Sequence, residues 1–225
     1  MRIFFFVIIL LASNALRAQE EETQYFDKDQ LGLEIFSNQW LNAPDGVTIS
    51  PYSLAFNVQM MYTLIGKNSH IALAGGFGFM AENYQIDALP EKSDGILTFN
   101  PINSDLNYKS NKIRFNTFEV PLEIRIRTNK NSRNKTWKLY LGAKGGYLFQ
   151  SMHKYNGANP ENQKEHLKQK TFNIPYTEAW SYGVTARIGY GQFLISGYYA
   201  LSNRFQTDRA PELFPLHIGV TFFIY

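Results

Sequence analysis

Residues 216–224, LHIGVTFFI, put Leu216, Ile218, Val220, Phe222 and Ile224 on the even positions, with His217, Gly219 and Thr221 between them. Successive side chains of a strand point to opposite faces, so a period of two describes a strand with one broad apolar face and one small or polar face. Only Phe223 and Tyr225 break the rule. A strand that runs into Tyr225 is expected to close a sheet.

The same period recurs seven more times. From Leu31 to Trp40, Leu31, Leu33 and Ile35 oppose Gly32 and Glu34. In YSLAFNVQMMYTLI, the face from Tyr52 through Phe56 and Met60 to Leu64 opposes Ser53, Ala55, Asn57, Gln59, Met61 and Thr63. HIALAGGFGFMAE sets Ile71, Leu73, Phe77 and Phe79 against Ala72, Ala74, Gly76 and Gly78. TFEVPLEIRIRT sets Phe118, Val120, Leu122, Ile124 and Ile126 against Glu119, Pro121, Glu123, Arg125 and Arg127. WKLYLGAKGGYLF sets Trp137, Leu139, Leu141 and Tyr147 against Lys138, Tyr140, Gly142, Lys144 and Gly146. Segments 180–190 and 192–201 follow the same rule, with Ser181, Gly183, Thr185 and Arg187, then Gln192, Ser196 and Ala200, on the second face. None of these keeps apolar residues at the helical period of 3.6.

The second face decides the architecture. A sandwich turns its apolar face inward and coats the other with Lys, Glu and Thr. Here the second face is mostly Gly, Ala and Ser with sparse charges of both signs, which suits the crowded lumen of a narrow barrel whose apolar face meets lipid. Tyr52, Tyr62, Trp137, Trp180, Tyr190 and Tyr225 stand near strand ends, where aromatic girdles are expected. The connections after segments two, four and six are short (GKNS, TNKNSRNK, YGQ). Those after one, three, five and seven are longer, two of them running from Gln85 to Lys112 and from Ser151 to Thr177. The sequence therefore predicts an all-β fold, an eight-stranded antiparallel up-and-down transmembrane β-barrel. The polar long loops, such as YNGANPENQKEHLKQK, are expected to be too polar to pack a core, and either partly disordered or ordered against another protein.

Export fits this fold. MRIFFFVIILLASNALRAQE has an early Arg, an apolar run from Ile3 to Leu11 and small residues to Ala18, the pattern of a secretory signal. Cleavage is expected after Ala18, with Ala15 the alternative, leaving residues 19–225 as one outer-membrane barrel domain. Loss of Arg2 and Arg17 leaves 20 basic against 19 acidic residues, which gives no support for nucleic-acid binding. The chain has no cysteine, so disulfides and thiolate chemistry are excluded.

Inward charges in a narrow lumen must be neutralised in place. Glu34, Glu119 and Glu123 are expected to pair with Arg125, Arg127, Lys138, Lys144 and Arg187 on neighbouring strands, a structural network that fixes register. Pro121 removes a ladder donor in mid-strand, so a bulge is expected there. Catalytic groups are scarce. His70 is placed beside a short turn, His153 and His166 in a long loop, and His217 near the outer end of the last strand. Grouping His217 with Ser202 and Asp208 at the rim is conceivable, but no spacing requires it. Glu91, Asp94 and Asp105 match no calcium loop. No catalytic residue, cofactor or metal is expected, and Asn134-Lys135-Thr136 is set aside as a chance sequon.

Two blocks carry a resemblance. Phe118-Glu119-Val120-Pro121-Leu122, followed across a hairpin by Tyr140, Gly142, Lys144, Gly146 and Tyr147, resembles the PorT-type outer-membrane barrels of the Bacteroidetes. ARIGYGQFLISGYYALSNRF with PLHIGVTF is similar to that family's closing hairpin and last strand. The resemblance spans about Arg114 to Tyr225. It implies a non-enzymatic accessory or assembly component of type IX protein secretion, and of gliding where present, with outer-membrane lipid and other secretion proteins as partners. A surface adhesion barrel using its long loops is the alternative; an outer-membrane rim hydrolase is a weaker one. One departure is that Tyr225 falls out of phase with Phe222 and Ile224.

Overall fold

The computed structural model describes residues 30–67, 69–103, 106–133, 135–160, 162 and 165–224. The export segment, Asp105, Asn134 and Tyr225 lie outside the described residues. The described residues form eleven strands: β1 (Leu31–Leu41), β2 (Leu54–Ile65), β3 (Ile71–Gln85), β4 (Ala88–Ser93), β5 (Ile96–Pro101), β6 (Tyr108–Arg127), β7 (Trp137–Ala158), β8 (His166–Phe172), β9 (Trp180–Tyr190), β10 (Phe193–Ala200) and β11 (Phe214–Ile224). Eight are staves, in the order β6-β3-β2-β1-β11-β10-β9-β7, and pairing of β6 with β7 closes the ring. Every stave is antiparallel to its neighbours, and the β1–β11 seam runs from Leu31↔Ile224 to Leu41↔Phe214.

Faces follow the alternation. Ile35, Phe56, Val120, Leu122, Ile188, Ile195 and Val220 are exposed on the outside, while Glu34, Asn57, Glu123, Arg187, Ser196 and Thr221 are buried inside. A water-soluble monomer does not carry a continuous apolar belt of this kind. No helix of the described residues is long and apolar enough to cross a membrane; the crossing is made by strands. Aromatic residues bound the belt at both ends. Trp137 packs on Tyr190 near the short turns, and Tyr147 packs on Trp180 near the long loops, with ring centroids 5.3 and 4.9 Å apart. Ten residues separate Trp180 from Tyr190; at about 3.3 Å per residue and a tilt near 40°, that is about 25 Å of membrane normal.

Three features depart from the sequence reading. First, the second long loop is structured. β4 and β5 form a hairpin whose turn uses Asp94 (φ 51°) and Gly95 (φ 81°), the left-handed pair of a tight two-residue hairpin turn. Second, the long loops do pack a core. Ala88, Leu97, Phe99, Ile174, Phe205 and Leu213 join Trp40, Tyr84, Ile113 and Phe115 in one buried cluster across the barrel mouth. The six loop residues are too scattered along the chain for a periodicity to reveal them. Third, Pro121 makes no bulge: the register with β7 runs unbroken through Leu122↔Ala143 and Pro121↔Lys144, and the ladder with β3 skips Pro121 and Val120 between Gly75↔Leu122 and Gly78↔Glu119 without a change of register, while register shifts fall at Thr63/Ile65, Tyr108/Ser110 and Asn116/Thr117.

Phe223, the residue that broke the alternation, points inward with the small and polar set. It is fully buried, edge-on to Tyr140 at 6.2 Å. β6 and β7, at 20 and 22 residues, are about twice the length a membrane needs. Their distal halves stand above the belt, and β8 pairs with the far end of β7 there.

Closure makes the first prediction. Gly219 sits opposite Phe36 in the β1–β11 seam, and an added Cβ would collide with the Ile35 carbonyl. The folded barrel should resist unheated detergent and run as a heat-modifiable band on a gel. Gly219→Val should cost about 1–3 kcal/mol through overpacking and deplete that band. The lipid-facing control Val220→Ile should leave it unchanged.

Candidate functional site

The lumen is lined by alternate residues of all eight staves, and the charged ones meet in three tiers. In the tier nearest the short turns, Arg187 of β9 reaches across the barrel. Its Nε donates to Glu34 Oε1 of β1 at 2.9 Å, its Nη1 to Glu123 Oε2 of β6, and its Nη2 to Gln59 Oε1 of β2 at 3.2 Å. Glu34 Oε1 also accepts from Gln59 Nε2 at 3.2 Å and Thr221 Oγ1 at 2.7 Å. Glu123 Oε1 takes the Nε of Arg125, two residues along its own strand, at 2.7 Å. Arg125 lies over the rings of Tyr140 and Phe223, and Arg127 Nε donates to Tyr140 Oη at 3.0 Å. Lys138 of β7 lies over the Phe223 ring of β11, 5.9 Å from its centroid.

In the middle tier, Lys144 pairs with Glu119 Oε1 at 2.7 Å and lies 4.1 Å over the Tyr198 ring. Asn57 Nδ2 donates to Glu119 Oε2 at 2.8 Å. This pair gives the sequence motif a physical meaning. The Glu of Phe118-Glu119-Val120-Pro121-Leu122 and the Lys of the Tyr140–Tyr147 block are ion-paired on adjacent strands. Gly142 and Gly146 stand where a Cβ would strike Glu123 and Thr117, so they leave room for the carboxylate side of β6.

In the outer tier, Glu82 of β3 accepts from Arg204 Nη2 at 2.9 and 3.0 Å, from Tyr84 Oη at 2.9 Å, and contacts His217 Nε2 at 3.0 Å. The aromatic cluster lies directly above, with Arg204 4.8 Å over the Phe115 ring and Trp40 4.6 Å from Tyr84.

All eight lumen charges named from the sequence are thus buried inside. Their pairing differs from the expectation in two respects. Glu119–Lys144 links neighbouring staves, but Arg125 meets Glu123 on its own strand, and Arg187 spans the lumen to β1 and β6, because eight strands leave opposite walls within one long side chain's reach. Sequence reasoning missed the Glu82–Arg204–His217 tier. Glu82 lies beyond the clean part of its strand, and Arg204 comes from a loop without periodicity. His217 is therefore a lumen residue, not a rim residue. Ser202 Oγ is tied to the Tyr182 backbone, so the His217, Ser202 and Asp208 grouping does not form. Glu91 Oε2 accepts from Asn100, Asp94 sits in the β4–β5 turn, and among the described residues no group of three His, Asp or Glu could hold a metal.

His153 lies above the belt in the β6–β7 extension, not in a loop, with Nε2 2.7 Å from Asn111 Oδ1. His166 opens β8, beside Asn156, and His70 Nδ1 is 3.0 Å from the Arg127 carbonyl at a short turn. Burial pushes the His153 imidazole down to about 4 from its ordinary value of 6.5.

Two expected outcomes follow from this geometry. Arg187→Met strands Glu34 and Glu123 in the lumen, so unfolding in detergent with guanidinium should show a loss of about 3–5 kcal/mol. The triple change Arg187→Met, Glu34→Gln, Glu123→Gln should recover most of it. For His153, the locally opened state binds a proton below about 6.5 while the packed state refuses it until about 4. Packing is therefore fully stable above 6.5 and weakens as pH falls through that window. Hydrogen-exchange protection of the β6–β7 extension should drop between pH 6.5 and 4 in the wild type, and His153→Gln should flatten the dependence.

Comparison with known proteins agrees with this architecture. The family model described as "Outer membrane protein beta-barrel domain" matches residues 30–206. No curated protein matches the chain. Among solved structures, Ail, the attachment invasion locus protein of Yersinia pestis, is 12% identical over 88% of this chain and 98% of that chain, with a TM-score of 0.37. A second structure, of Ail in complex with the heparin analogue sucrose octasulfate, is 13% identical over 86% and 96%, with a TM-score of 0.32. Superpositions this weak carry no argument about function. With the closed ring of eight staves, the lipid-facing belt and a family match across most of its length, the chain belongs to the outer membrane protein β-barrel domain family.

Proposed function

We propose that this protein is a non-enzymatic outer-membrane component that works through contacts with other proteins, as an accessory or assembly factor of type IX secretion. The observation that carries the reading is the filled lumen. Arg187 bridges opposite walls, Glu119–Lys144 and Glu82–Arg204 occupy the tiers beyond it, and the aromatic cluster covers the mouth. Among the described residues these side chains cross the lumen and its mouth, which supports action at the surfaces outside the belt. The assignment to type IX secretion is supported by the Phe118–Leu122 and Tyr140–Tyr147 blocks, whose Glu119–Lys144 pair is internal to the resemblance. Partners are the surrounding lipid and other secretion proteins, met at the ordered extension or the short turns. No cofactor takes part.

A second reading, a recognition barrel for surface adhesion, is favoured by the β6–β7–β8 sheet, a paired platform standing above the membrane. A clean deletion in the source bacterium separates the two. Type IX cargo should accumulate in the periplasm and be restored to the medium by the wild-type gene. Normal export with loss of surface attachment would overturn the secretion reading in favour of adhesion.

A further inference from the structure

Above the belt, the outward face of the β6–β7–β8 sheet carries a grid without a carboxylate. Its rows are Arg114–Met152 with Met152–Phe172, then Lys112–Lys154 with Lys154–Lys170, then Ser110–Asn156 with Asn156–Lys168. Directly opposed residues on adjacent strands share a face about 5 Å apart, and like charges there are destabilising. The middle row nevertheless places three lysines side by side. Proximity of the set is also felt at Lys154, whose ammonium is held below its ordinary value by desolvation and by Lys112, Lys170, Lys168 and Arg114.

Two bland explanations cover part of this. Lysines on a free edge block unwanted strand pairing, and β8 is such an edge. That accounts for Lys168 and Lys170. It does not account for Lys112 and Lys154, whose strands are paired on both sides. General solubility would be served as well by lysines that do not face one another. A row of opposed cations on interior strands is stabilised when an anion sits on it.

The face and the height identify the anion's source. β6 keeps one outward parity from Val120 and Phe118 through Asn116 and Arg114 to Lys112, so the grid looks sideways, over the lipid, and not up from the tip. Phe79, Phe118 and Phe149 form an exposed aromatic group at the upper margin of the belt, with Phe118 and Phe149 stacked at 4.6 Å. Arg114 and Lys112 lie four and six residues above Phe118, about 10 and 15 Å higher for a strand tilted near 40°. Flexible lysine stems reach back down from there. This is the headgroup level of the outer leaflet. Arg114 is steadied by its Nε–H donating to Asn83 Oδ1 at 2.7 Å.

We propose that this grid binds the phosphates of an anionic glycolipid of the outer leaflet, with Lys112, Lys154 and Lys170 as the charge row and Arg114 beside it.

Full-length protein refolded in neutral detergent and incubated with diphosphoryl lipid A, or with the same lipid stripped of both phosphates, tests this by native mass spectrometry. Wild type should retain the phosphorylated lipid at least tenfold more strongly, and Lys112→Gln/Lys154→Gln/Lys170→Gln should lose the difference while keeping its heat-modifiable band. The charge-preserving Lys112→Arg/Lys154→Arg/Lys170→Arg should keep it. Equal retention of both lipids by the wild type, which needs no variant to fold, would overturn the proposal. So would undiminished preference in the Gln triple. Preference for soluble inositol hexakisphosphate over the lipid would overturn the lipid source. The measurement is independent of cargo export, so its failure leaves the secretion reading untouched.

Discussion

A sheet edge in hydrocarbon has no water to satisfy its amides, and each unpaired group costs several kcal/mol. The β1–β11 seam meets that constraint by joining the first stave to the last over eleven consecutive pairs. Everything else depends on this closure. Eight staves fix a circumference too small for an open channel, so inward side chains pack against one another in the lumen. An inward charge then has nowhere to hydrate and must find a partner inside. The Arg187 bridge to Glu34 and Glu123 is what remains possible once the ring is closed. The occupied lumen in turn moves any contact chemistry to the outside of the barrel.

The parts of this structure legible in the sequence are those where two phases meet at a strand. Lipid outside and a charged lumen inside write themselves as alternation, which is why all eight staves and the inward direction of Glu34, Glu119, Glu123, Arg125, Arg127, Lys138, Lys144 and Arg187 could be read in advance. Partner choice could not. Which carboxylate Arg187 meets depends on strand stagger, and alternation carries no information about stagger. The mouth was illegible for a different reason. Ile49, Ile86, Ala88, Leu97, Phe99, Ile174, Phe205 and Leu213 come from four separate loops, each contributing a few apolar residues to a core that none could form alone. One local signal was present: Ser93-Asp94-Gly95-Ile96 is the sequence of a tight hairpin turn, and it sits at the tip of β4–β5. Compositional polarity of the loops obscured it.

The Glu119–Lys144 pair connects the motif to the fold. Resemblance blocks on different strands are hard to weigh when their residues have no evident relation. Here Glu119 and Lys144 touch, while Gly142 and Gly146 clear space beside them. Phe118 and Tyr147 face outward, directly opposite one another in the β6–β7 register. The blocks therefore describe one patch of barrel wall seen from both sides. That explains why the resemblance speaks more strongly about the barrel than about a partner, since none of these residues lies on the extension above the membrane.

β6 carries the clearest record of where the membrane stops. Below Phe118 its inward residues are Glu119, Glu123, Arg125 and Arg127, and its outward ones Val120, Leu122, Ile124 and Ile126. Above Phe118 the pattern inverts without a break in parity: Phe115 and Ile113 turn inward, Asn116, Arg114 and Lys112 outward. The strand has not changed direction; its surroundings have. In hydrocarbon the apolar face is the outer one, and in water it is the inner one, so a single uninterrupted strand must exchange its faces at the boundary. The exchange occurs within two residues, beside the Phe79–Phe118–Phe149 group. The basic outward face thus begins where the lipid chains end, with cations stacked over the one layer of the surroundings that carries fixed negative charge.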